Sequence, residues 1–105
     1  MSVRAELRSK SPHTWSVVIT AREGQEPLTL YDALVDAGFR HDPQGDLPPD
    51  ASRRVERIFV RRGSGIFGMW TDTEEREYMA SALAVLARFG HPRVQRRRLR
   101  MEDCL

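Results

Sequence analysis

Hydrophobic and polar residues alternate from Val3 to Arg8, with Val3, Ala5 and Leu7 on one parity and Arg4, Glu6 and Arg8 on the other. A period of two places successive side chains on opposite faces of an extended chain, so the pattern predicts a half-buried N-terminal strand. The segment TWSVVITA is the strongest strand signal, rich in β-branched residues, with Trp15, Val17 and Ile19 sharing a face. After the turn REGQEP the period changes. Leu30, Ala33, Leu34 and Ala37 follow helical spacing, with Thr29 as the expected N-cap and Ala37 as the last residue. Gly38 suits the left-handed position that ends a helix, and Phe39 can fold back on the last turn.

Residues 40–50, RHDPQGDLPPD, carry three prolines and three aspartates and read as an exposed loop. RRVERIFVRR then predicts a strand, GSG a tight turn, and IFGMWT its antiparallel return. The second helix has the clearest signature. Thr71, Asp72 or Thr73 can cap it, and Glu74, Glu75 and Glu77 complement the positive end of its dipole. Met79, Ala82, Leu83, Leu86 and Phe89 supply an apolar stripe, and Gly90 with Pro92 ends the helix. RVQRRRLRM closes the pattern as a strand; the competing reading is a proline-started helix with Val94, Met101 and Leu105 on one stripe.

Setting the first segment aside, the order is strand, helix, strand, strand, helix, strand. This βαββαβ order resembles the ferredoxin-like architecture over residues 13–101: an α+β fold with two helices on one face of an antiparallel sheet. The expected fold is therefore ferredoxin-like with an extra N-terminal strand, as a single domain over residues 1–105. The resemblance is one of architecture, and many activities use it.

Charge changes this picture more than composition does. The formal net charge is only +2, yet residues 1–52 hold five basic and eight acidic side chains and residues 53–105 twelve and seven. Such a gradient can orient a charged partner, although nucleic-acid binders are usually basic throughout. Apolar runs are intact but none is long and continuous enough to span a bilayer, so no membrane association is expected. The N-terminus has no apolar signal region, and the single cysteine, Cys104, has no partner for an internal disulfide. Together these set the expectation of a cytoplasmic protein.

No local pattern indicates catalysis, a metal or a cofactor, and the chain is read as non-enzymatic. His13, His41 and His91 are scattered, and Cys104 has no second thiol for zinc. Asp42, Asp46 and Asp50 lack calcium-loop spacing. RRGSGIFG lacks the lysine and the following helix of a phosphate-binding loop. The remaining signal is arginine. If Leu99 and Met101 face the helices, Arg96, Arg98 and Arg100 lie on the open face. If Ile58 and Val60 face inward, Arg57, Phe59 and Arg61 join them, together with either Ile66 and Trp70 or Phe67 and Met69 of the return strand. The candidate partner-binding set is therefore Arg57, Phe59, Arg61, Trp70, Arg96, Arg98 and Arg100.

Three readings of that face compete. Charged side chains on an edge strand can simply keep the sheet from recruiting other chains. A surface of arginine, aromatic residues and methionine also suits an acidic protein partner or a second copy in a homodimer, as in an inhibitor-type protein. The alternative is nucleic acid, with bases stacked on aromatics between phosphate contacts. GIFGMW is loosely similar to the third strand of the RNA-recognition motif. Phe67 and Trp70 stand three apart, however, on opposite faces, and the first strand has no matching signature, so none of that family's residues is carried over.

Overall fold

The computed structural model describes residues 3–11, 14–43, 53–61 and 70–98. In chain order the elements are β1 (Arg4–Ser11), β2 (Thr14–Arg22), α1 (Leu28–Asp36), β3 (Arg40–His41), β4 (Arg54–Val60), α2 (Asp72–Arg88) and β5 (Gln95–Arg98). They form an α+β fold, with an open five-stranded sheet in the order β3-β4-β2-β1-β5. β1, β2, β4 and β3 pair antiparallel, whereas β5 lies parallel to β1. Parallel strands need a crossover. The connection containing α2 carries the chain from β4 past two strands to β5, and α1 carries it from β2 past β4 to β3.

The ferredoxin-like order expected from the sequence is not the order of these strands. β1 lies between β2 and β5, so β2 is flanked by β1 and β4, and the sheet is mixed rather than antiparallel. A tight connection explains this, because β1 and β2 face each other from Arg4↔Thr20 to Ser11↔Thr14. The return strand expected at IFGMWT falls on residues 66–69, outside the described residues, except that Trp70 and Thr71 precede α2.

Side-chain parity sorts the core. Ala5, Leu7, Trp15, Val17, Ile19 and Phe59 pack with Leu30 and Leu34 of α1 and Ala82, Val85 and Leu86 of α2. The rows Leu7–Val17–Phe59 and Glu6–Val18–Ile58 run across β1, β2 and β4, so odd-numbered residues of β2 face the helices and even-numbered ones the other side.

Both helix ends follow local chemistry. Thr71 and Glu74 form a reciprocal capping box at the start of α2. α1 begins one residue before the expected cap: Pro27 is its N-cap, Thr29 lies inside the helix, and no side chain caps it. At the other end Gly38 (φ 98°) donates to Val35 O and Phe39 to Leu34 O, and Phe39 is buried. Gly90 (φ 89°) and His91 repeat the arrangement after α2, donating to Ala87 O and Leu86 O. These paired bonds satisfy carbonyls that a helix end leaves open. β3 was not anticipated; it occupies the first two residues of the expected loop and pairs with Val60 and Phe59.

Candidate functional site

The six arginine and aromatic candidates among the described residues do not assemble on the open face. Phe59 is 2% exposed and lies against Tyr31, with ring centroids 5.2 Å apart. Trp70 is 5% exposed and meets Tyr78 edge-on at 4.6 Å. Both rings lie in the core and not on an open face. Phe59 points inward because Val55 shares its parity, and burying a large apolar side chain stabilises by about 1.5–3 kcal/mol. Ile58 and Val60 take the other face and are half-buried. Arg57 follows Phe59 to the helix side, where its Nε donates to Glu26 Oε1 at 2.8 Å.

Arg61 is also engaged within the fold. Its Nη1 donates to Ala37 O at 3.2 Å at the end of α1, and its Cζ sits 4.2 Å from the Tyr78 ring centroid. This is a helix-capping cation stacked on an aromatic face. Arg98 pairs in register with Ser9 and Arg96 with Leu7, which puts both on the helix side of β5 and not on the open side. Val94, half-buried against the core, sets that parity. Arg98 reaches Glu75 Oε1 at 3.5 Å and lies over Trp15 at 5.2 Å. Arg100 is outside the described residues, as are Leu99 and Met101.

The open face is instead closed by an ion network that sequence reasoning missed. Arg8 Nε donates to Glu6 Oε1 at 2.6 Å, and Arg8 Nη2 to Glu56 Oε2 at 3.1 Å. Arg97 approaches the same Glu6 oxygen at 3.4 Å. Arg8 pairs in register with Ser16 and Glu56 with Thr20, so the guanidinium spans β2 diagonally across Val18, which is 1% exposed. Burial would lower the Arg8 pKa, but the hydrogen bonds that Arg8 donates to Glu56 and Glu6 outweigh it and hold the pKa above its ordinary value. The shared parity of Glu6 and Arg8 was visible in the sequence. Their partner on β4 was not, because the strand order places it.

What remains for recognition is the β5 edge. All four residues of β5 are exposed, and so is Arg93 just before it. Arg97 and Arg98 hold long contacts to Glu6 and Glu75 while staying half exposed. Arg93 and Arg96 form no ion pair among the described residues. A shallow groove of about 470 Å³ runs between α1 and the end of α2, lined by Thr29, Asp32, Ala33, Asp36, Arg88 and Phe89.

Among the described residues no group of His, Cys, Asp or Glu could hold a metal ion, and no helix is long and apolar enough to cross a membrane. No family model, curated protein or solved structure matches the chain. Fold and site therefore define a class only: a small α+β domain with an arginine-rich sheet edge.

Proposed function

We propose that this protein is a non-enzymatic interaction module that binds an acidic protein partner along the β5 edge. Arg93 and Arg96 make the first contacts, and Arg97 and Arg98 exchange their long internal pairs for the partner's carboxylates. One observation carries the reading: these four arginines project from one exposed edge, and two of them meet no carboxylate among the described residues. Exposed pairs of this length are worth about 0–1 kcal/mol, so giving them up costs little. Protein is favoured over nucleic acid because the aromatics needed for base stacking, Phe59 and Trp70, are buried. The same reading places the module in the cytoplasm, where a lone cysteine such as Cys104 stays reduced.

The test is fluorescence anisotropy with a labelled polyglutamate peptide and a random single-stranded oligonucleotide over a salt series. The peptide should bind at low salt, weaken as salt screens the charges, and be lost in the variant Arg93→Glu/Arg96→Glu. A peptide that does not bind overturns the proposal. Tighter oligonucleotide binding with a steep log-linear salt dependence replaces it with the nucleic-acid reading.

A further inference from the structure

We infer that the acidic partner of the β5 edge is a second copy of this chain, which offers the groove between α1 and α2. The inference rests on the proposed role of β5 and names its partner. The groove has carboxylates and an aromatic surface together. Asp32 and Asp36 stand four residues apart on one face of α1, and Phe89 lines the groove from the α2 side. Neither aspartate forms an ion pair among the described residues. Arg88 also lines it, so the acid is in excess by one charge.

Apolar surface borders the same row. Leu28 is 67% exposed and Val35 52%, and they sit at i−4 and i+3 from Asp32. A carboxylate pair flanked by an aromatic and two exposed aliphatics fits arginine, whose planar head pairs with carboxylate and stacks on rings while its stem covers apolar surface.

Within one molecule the two surfaces do not pair. No ion pair joins Asp32 or Asp36 to an arginine among the described residues. A second copy brings its β5 edge to the groove, a head-to-tail contact that leaves a free groove at one end and a free edge at the other. Edge-to-edge pairing of two β5 strands would set arginine against arginine and is disfavoured.

The test is light scattering and sedimentation velocity on the full chain at low salt, up to roughly 1 mM, where a contact below standard interface size is populated. Average mass should rise above 12.1 kDa with concentration and return to it at high salt. Asp32→Lys/Asp36→Lys and Arg93→Glu/Arg96→Glu should each be monomeric. A mixture of the two should associate again, because the unchanged groove of one variant meets the unchanged edge of the other and the reversed groove meets the reversed edge. A chain with all four reversals should associate again. Circular dichroism shows whether each variant is folded. A wild-type chain that stays monomeric overturns the inference, as does association that survives the aspartate reversals, or folded variants that fail to complement. A monomer that still binds polyglutamate through Arg93 and Arg96 sinks this inference alone; loss of both removes the role of β5 as well.

Discussion

Trp15 donates its indole Nε1 to Glu75 Oε1 at 2.7 Å, joining the second strand to the first turns of α2. Trp15 is 9% exposed, so its N–H must find a partner within the protein. The same carboxylate oxygen meets Arg98 at 3.5 Å, so one acid on α2 fastens both the sheet interior and the β5 edge. Trp15→Phe keeps most of the apolar surface and removes the donor. It should destabilise by about 1–2 kcal/mol in urea unfolding, since it leaves a half-buried carboxylate short of a bond. Arg98→Ala breaks only an exposed pair and should cost about 0–1 kcal/mol.

Arg8 lies between two acids, and removing it leaves both without their shared cation. Arg8→Met should destabilise by roughly 1–3 kcal/mol, less than a fully buried pair because all three side chains keep some solvent. The pKa of Arg8 is raised by folding, so its contribution is complete below the unfolded value and is lost only as pH rises through the higher folded value. Protonation of Arg8 thus adds no pH dependence near neutrality. The stability difference between Arg8→Met and the wild type should stay level from about pH 6 to pH 10, measured by urea unfolding.

Gly38 and Gly90 occupy the same helix-ending conformation but differ in what surrounds them. A Cβ on Gly90 would meet nothing within 4 Å, whereas one on Gly38 would lie 3.0 Å from Arg61 Cζ. Arg61 cannot move away freely, because Ala37 O and the Tyr78 ring hold it. Gly90→Ala should cost about 1–2 kcal/mol from the left-handed backbone alone. Gly38→Ala should cost more by roughly 1 kcal/mol, and the excess should vanish in an Arg61→Ala background.

The residues that made the helices legible are those whose roles are local. Gly38, Phe39, Thr71, Glu74 and Gly90 act through bonds to residues within five positions, and the sequence displays those spacings directly. The strands were legible as strands, but their facing was not. In β4 the sets Val55, Arg57, Phe59 and Glu56, Ile58, Val60 each contain two apolar residues, and setting Ile58 and Val60 inward gave the wrong face. Val55 was the residue to consult, since it stands four before Phe59 and shares its parity. In β5, Val94 decides the parity, although Leu99 and Met101 drew attention. The strand order was beyond local reading, because the insertion of β1 beside β5 is fixed by long-range pairing. With it went the Glu6–Arg8–Glu56 network, whose members are brought together only by that order.

Arg53 has φ 62°, the left-handed region, and is the residue other than glycine with positive φ among those described. It stands just before β4, its carbonyl accepts from Glu23 N at 2.7 Å, and its side chain pairs with Glu23 Oε2 at 3.2 Å. The pair is exposed, with 75% of the Arg53 side chain accessible, and is worth about 0–1 kcal/mol. The backbone bond remains when the side chain is removed. For an L-residue the left-handed region costs about 1–2 kcal/mol, while glycine adds roughly 0.5–1 kcal/mol of unfolded-state entropy. Arg53→Gly should therefore be neutral to about 1 kcal/mol stabilising by urea unfolding, and Arg53→Val should destabilise, because a β-branched side chain fits that region poorly. A clear loss of stability on Arg53→Gly would show that the guanidinium, rather than the carbonyl, fastens this end of β4 to the turn at Glu23.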